Sequence, residues 1–194
     1  MPSVCCGIPT ATEMAGPSIQ ASAIEGVLEI ERIPFSDQRG HFLNLFRRND
    51  WSEIWGDRPI EQVNLSHNIR RGTIRGLHLQ RGQPPEVRLV TCVKGRVWDV
   101  AADLREASTT RGEWHGVELS AEAGNSLLIP TGCAHGFQVL EPDSTLLYLH
   151  AAPYRPGEET GVRWNDPRLG VCWPLEAADL SERDRLLPLL ECVP

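Results

Sequence analysis

From Ile24 onward the apolar positions fall in short runs broken by turn residues, with no long stretch of helical periodicity. The runs Val27–Arg32, Phe42–Arg47, Ile60–Ser66, Thr73–Leu79, Arg88–Lys94, Arg96–Asp103, Gly112–Leu119, Ser126–Ile129, Gly136–Leu140, Thr145–His150 and Gly161–Trp164 read as strands. They have strand length, are rich in β-branched and aromatic residues, and are bounded by Gly, Pro, Asp or Asn. Lys94-Gly95 between two runs reads as a hairpin turn. Strands this short at this spacing predict an all-β antiparallel sandwich or barrel. Two helical patches flank it, Asp50–Trp55 and Leu180–Leu190. Residues 1–22 are small, polar and interrupted by Pro and Gly, and are expected to be a mobile tail. The expected organisation is a tail over 1–22, one barrel domain over 23–175, and a helical segment over 176–194 packed on the barrel.

Composition narrows the function classes. A chain of 194 residues with 41% hydrophobic and 23% charged content suits a single soluble globular domain. A net charge of −7 offers no global positive field for nucleic acid or anionic membrane, so an anionic ligand needs a local arginine cluster. No apolar run approaches the roughly 18 residues of a membrane span. The N-terminus has no basic segment followed by an apolar one, so no signal peptide is expected. Cys5 and Cys6 are adjacent in the tail, while Cys92, Cys133 and Cys172 lie in apolar strand-like runs, as buried thiols do. No C-x-x-C spacing suggests zinc or a redox pair. The expectation is a cytoplasmic protein with reduced thiols, binding neither nucleic acid nor membrane.

Candidate chemistry begins at GTIRGLHLQRG (Gly72–Gly82), where His78 lies among arginines and a glutamine that a purely structural strand does not need. A hydrogen-bonded core histidine and a general base are both open readings. A second histidine, His135, stands in PTGCAHGF, whose P-x-G-x-x-H resembles the second motif of a cupin jelly-roll. A metal-binding cupin needs H-x-H and a glutamate in its first motif, and this chain has His78-Leu79-Gln80. Two histidines do not make a three-ligand site unless an acid from elsewhere, Asp99 or Asp103, completes it. Otherwise both imidazoles are free for acid–base or binding work.

Eight segments occur in order: DQRGHF (37–42), QVNLS (62–66), RGLHLQ (75–80), KGRVWDVAADLR (94–105), IPTGCAHGF (129–137), LLYLHAAPYRP (146–156), WNDPRLGVCWP (164–174) and LSERD (180–184). Jointly they resemble the dTDP-4-dehydrorhamnose 3,5-epimerase family from about residue 24 onward. The resemblance implies a cupin-type jelly-roll barrel with no metal and no cofactor. It also implies a homodimer, expected to form through the β-rich N-terminal part of the barrel. The implied activity is epimerisation of a 4-keto-6-deoxy sugar carried on a nucleoside diphosphate.

The chemistry needs a base on one face of the sugar, a donor to the enolate oxygen, and an acid on the other face. The resemblance places the base on His78, its orienting carboxylate on Asp184 and the acid on Tyr148. It places Arg39 and Arg75 at the nucleotide, Gln62 and Asn64 in a polar wall, Phe42 near the base, and His135 and Tyr154 in the pocket. Each has a plainer reading. Ser181-x-x-Asp184 fits a helix N-cap, Tyr148 and Tyr154 fit hydrogen-bonded core tyrosines, and His135 fits a turn-ordering role. The chain departs from the family at Arg88, where a lysine usually helps hold the enolate oxygen, at Asn44 in place of a glutamate near thymine, and at Leu149 in place of lysine. These departures leave open inversion at C3 only and a nucleotide other than dTDP. A keto-sugar isomerase, a metal cupin and a silent sugar-nucleotide binder are the competing readings.

Overall fold

The computed structural model describes residues 16–192. Two antiparallel sheets face each other. The first is ordered β1 (Ser18–Ala21), β2 (Leu28–Glu31), β10 (Ser126–Ile129), β7 (Arg88–Lys94), β12 (Ser144–His150), β5 (Gln62–Asn68). The second is ordered β13 (Glu159–Gly161), β6 (Ile74–Gln80), β11 (Cys133–Val139), β8 (Arg96–Asp103), β9 (Trp114–Ser120). A separate hairpin is made by β3 (Phe35–Asp37) and β4 (Gly40–Phe42). This is the all-β jelly-roll of the cupin type. No helix of the described residues is long and apolar enough to cross a membrane.

Period-two alternation sorts the side chains into three buried layers. Val90 and Cys92 of β7, Val97 and Ala101 of β8, Phe137 and Val139 of β11, and Leu146 of β12 meet between the sheets. On the outer face of the second sheet, Leu77, Leu79, Val100 and Ala102 are covered by Val162, Leu169 and Leu190. On the outer face of the first, Leu89 and Leu149 are covered by Trp51 and Trp55. Strands buried on both faces read as continuous apolar runs, which is why Arg88–Lys94, Arg96–Asp103 and Ser126–Ile129 have the bounds expected.

Several expectations change. Part of the expected tail, Ser18–Ala21, pairs with β2 as an edge strand, while its residues 1–15, including Cys5 and Cys6, lie outside those described. The run 42–47 is not a strand beyond Phe42; Asp37 Oδ1 accepts from Arg39 N (2.8 Å) in a tight turn, and the chain leaves β4 irregularly. Lys94-Gly95 is not a hairpin, because β7 and β8 belong to different sheets. Gly95 turns the corner with φ +73°, and Arg96 N donates to Ser144 Oγ (3.0 Å). The patch at Asp50 is a 3₁₀ turn, Arg48–Trp51. The expected C-terminal helix is only α1 (Glu182–Leu186), because Pro188 forces Leu187 to extended backbone (ψ 143°). Cys92 and Cys133 are buried as expected, but Cys172 is exposed on a loop.

Two glycines set the spacing around β6. A Cβ on Gly136 would lie 2.7 Å from the carbonyl oxygen of Arg75, and one on Gly161 would overlap that of Leu77. Both neighbouring strands therefore approach β6 closer than any side chain allows.

Candidate active site

The inner faces of both sheets turn polar at one end of the barrel, around a cavity of about 630 Å³. From the second sheet, β6 supplies His78 and Arg75 and β11 supplies His135. From the first, β12 supplies Tyr148 and His150, β7 supplies Arg88, and β5 supplies Asn64. Tyr148, Arg88 and His135 thus continue the inward rows that Leu146, Val90 and Phe137 begin in the core.

His78 Nε2 lies 2.5 Å from Asp184 Oδ1. The carboxylate arrives from outside the barrel. Ala178 N donates to Gly72 O (3.0 Å) and Ile74 N to Asp179 O (3.0 Å), which zips the C-terminal segment onto the start of β6. Ser181 then caps α1, accepting from Asp184 N (3.0 Å). Capping and pairing are therefore both true of this motif. Burial pushes the Asp184 carboxyl up, but the hydrogen bond and charge of His78 outweigh it and hold the group below its ordinary value.

His135 is buried, with Nε2 2.8 Å from Asp99 Oδ1. Asp99 is fully buried and burial raises its pKa; its other oxygen has no hydrogen-bond partner. Tyr148 stands between two imidazoles, edge-on to His135 and stacked on His150, with ring centroids 5.8 Å apart in each case. Burial pushes its phenol far above the ordinary value.

Arg88 pairs with Glu86, whose Oε1 lies 2.9 Å from His150 Nδ1. Glu86, His150 and Glu159 are pocket residues that sequence reasoning missed. Glu86 reads as a loop residue after two prolines; His150 has a legible signal, since it lies two positions after Tyr148 on the same strand face. Gln62 stands behind Asn64, donating to its Oδ1 (2.9 Å), and accepts from Tyr154 N (3.0 Å). Tyr154 is half exposed at the rim and donates to Glu159 Oε2 (2.7 Å), which also binds Arg183 beside Asp184.

Three expected site residues lie elsewhere. Arg39 is in the β3–β4 turn, paired with Asp37 at 2.6 Å, and Phe42 and Asn44 line a separate groove beside Arg32 and Trp51. Within the chain the hairpin does not reach the cavity. The acids considered as extra metal ligands are engaged otherwise: Asp99 by His135, and Asp103 by Arg105, Ser108 and Thr110. No group of three or more His, Cys, Asp or Glu among the described residues is arranged to hold a metal ion.

Comparison with known proteins identifies the family and the fold. The family profile for dTDP-4-dehydrorhamnose 3,5-epimerase matches residues 21–191. The dTDP-4-dehydrorhamnose 3,5-epimerase of Salmonella typhimurium is 40% identical over 172 residues, 88% of this chain and 93% of that one. The dTDP-4-dehydrorhamnose 3-epimerase of Streptomyces niveus is 39% identical over 164 residues, 84% of this chain and 78% of that one. Among solved structures, NovW, a 4-keto-6-deoxy sugar epimerase from the novobiocin biosynthetic gene cluster of Streptomyces spheroides, superposes with a TM-score of 0.87 at 35% identity, covering 96% of this chain and 92% of that one. The ordered motifs, the matched length and these similarities together place the chain in the dTDP-4-dehydrorhamnose 3,5-epimerase family.

Proposed function

We propose that the chain is a cofactor-independent epimerase of a nucleoside-diphosphate 4-keto-6-deoxy sugar, acting in deoxysugar biosynthesis, with dTDP as the carrier. One observation carries the residue roles: His78 and Tyr148 come from opposite sheets and face one cavity. A sugar ring lying between the sheets presents one face to each. The C4 ketone acidifies the protons on its neighbouring carbons. His78 takes such a proton, the electron pair moves onto the C4 oxygen as an enolate, and Tyr148 returns a proton to carbon from the other side. Asp184 holds the imidazole and favours the imidazolium that forms. Positioned transfers of this kind are worth roughly 10²–10⁴ in rate. Arg75, Asn64, Tyr154 and His135 line the remaining wall, and Arg75 has the fork that suits phosphate oxygens.

The reading includes a homodimer. Arg39, Phe42 and Asn44 carry the nucleotide-site motif, yet the hairpin holds them away from this protomer's cavity, with Phe42 44% exposed. The edge strand β5 also leaves Val63 and Leu65 exposed on its outer face, with Ile69 exposed just beyond it. A two-fold partner covers such an edge and brings its own hairpin to this cavity. The free thiols Cys92, Cys133 and Cys172 fit the reducing cytoplasm.

The test is incubation with dTDP-4-keto-6-deoxyglucose in D₂O, with deuterium located by NMR. Incorporation at C3 or C5 with inverted product is expected; no incorporation at either carbon overturns the reading.

A further inference from the structure

Arg88 is the arginine that the first sheet's inner face gives to the cavity, and it is not free to serve a ligand alone. Its guanidinium is bound to the Glu86 carboxylate, with both side chains about nine-tenths buried. The other Glu86 oxygen meets His150 Nδ1 at 2.9 Å. Arg88 and His150 are register partners on β7 and β12, so the pleat puts both on the inner face with one carboxylate between them. Burial pushes Glu86 up, but the hydrogen bond from His150 and the charge of Arg88 outweigh it, and the carboxylate stays ionised.

The charges of Glu86 and Arg88 cancel, so the net charge of the three-residue cluster equals the charge on His150. The imidazole is also aimed. Glu86 fixes Nδ1, which leaves Nε2 on the cavity side, where Asn64 Nδ2 stands at a long 3.4 Å. Asn64 Oδ1 already accepts from Gln62, so the amide turns a donor toward the ring. At rest that donor meets the Nε2 lone pair; an anionic oxygen that takes its place in the cavity favours the imidazolium, whose Nε2–H then donates to it.

We propose that His150, oriented by Glu86, supplies the positive charge that meets the enolate oxygen of the keto sugar, while Arg88 keeps Glu86 ionised. This rests on the epimerase reading above. As His78 takes the carbon-bound proton, the C–H electron pair shifts into the ring and the carbonyl π pair onto the C4 oxygen. His150 donates a hydrogen bond from Nε2 to that oxygen, and no covalent bond to His150 forms or breaks.

The experiment is a charge-compensation cycle: wild type, His150→Asn, Glu86→Gln and the double variant, assayed by solvent exchange with dTDP-4-keto-6-deoxyglucose. His150→Asn is expected to lower kcat about 10²-fold, as loss of one oxyanion donor does, with KM changed less than about 3-fold. The double variant is expected to recover about 10-fold of that loss, because removing the carboxylate returns Arg88's charge to the cavity. A purely structural role predicts the opposite, a double variant worse than either single one. The inference is overturned if His150→Asn keeps wild-type kcat, or if the double variant is no faster than His150→Asn. Thermal melts accompany each variant, and His150→Gln replaces His150→Asn in the cycle if the latter is unfolded. Wild-type exchange in the same series tests the epimerase reading separately: a wild type that exchanges beside an indifferent His150→Asn sinks the charge assignment alone.

Discussion

His78 and His135 are register partners on adjacent antiparallel strands, and each meets a carboxylate from a different direction. Asp184 reaches His78 from the helix outside the barrel, whereas Asp99 reaches His135 from the neighbouring strand inside it. The two pairs differ electrostatically. Asp184 is held below its ordinary pKa and stays ionised, while burial pushes Asp99 up. Of these two, only His78 has a firmly ionised carboxylate behind it, which suits it to accept a proton.

That contrast sets the first prediction. His78→Asn should abolish solvent exchange at the sugar carbon while dTDP binding, read by calorimetry, survives. Asp184→Asn should keep the fold and lower kcat by roughly 10²–10⁴, since an amide cannot stabilise the imidazolium. Asp99→Asn should cost less than Asp184→Asn in the same assay. Equal losses would show that the two pairs are not functionally distinct.

Tyr148→Phe separates proton removal from proton return. The variant should still exchange through His78 on one face while inverted product is lost, because the phenol is the donor on the opposite sheet. Only an O–H is removed, and the ring contacts to His135 and His150 remain. Deuterium at C3 and C5 and the product's coupling constants, followed in both proteins, give the answer. Wild type is expected to exchange C3 faster than C5, given Arg88 in place of lysine. Inverted product at wild-type rate from Tyr148→Phe would assign the acid to another group.

Light scattering at micromolar concentration should give a dimer. Arg39→Ala should then raise KM for the nucleotide sugar about 10-fold, the worth of a charge-assisted hydrogen bond, with little change in kcat. A monomer with an unaltered KM in Arg39→Ala would remove the hairpin from the site.

Deletion of residues 1–22 is expected to lower the melting temperature below that of a 1–15 deletion. The longer cut removes β1, whose four residues pair with β2 at the sheet edge. Scanning calorimetry of the two truncations checks this.

Asp103 gives a pH signature. Burial acts upward on its carboxyl, but hydrogen bonds from Arg105, Ser108 and Thr110 outweigh it and hold the group far below the ordinary range. A folded pKa below the unfolded one means that the stabilisation is complete above the unfolded value of about 3.9 and is lost as pH falls below it. Asp103→Asn should therefore cost about 2 kcal/mol at pH 7. The gap from wild type should narrow as pH drops under about 4. A gap that stays constant to pH 3 would contradict the assignment.

The barrel was legible because strands buried on both faces leave an unmistakable apolar record, as at Arg88–Lys94. β1 was not, since Ser18–Ala21 is exposed and its pairing depends on a neighbouring backbone. Lys94-Gly95 has hairpin chemistry, but which sheet the next strand joins is decided by long-range packing that a dipeptide does not encode. His78 and Asp184 stand 106 positions apart, and only resemblance joined them; residue patterns alone favoured the helix cap that Ser181 also makes. Glu86 was missed because a carboxylate in a Pro-rich loop reads as a solvated surface charge until the fold buries it, whereas His150 was legible from its place two positions after Tyr148.

Gly136 and Gly161 have no reactive atom and no place in the catalytic argument. Yet the strands on both sides of His78 lie at a distance that only hydrogen side chains permit. In a mutational scan these two positions would therefore score as null alleles alongside the histidine between them. Tolerance to change around this site is bounded by backbone separation as firmly as by chemistry, so a variant's effect here is better ranked by its distance from β6 than by whether it touches the ligand.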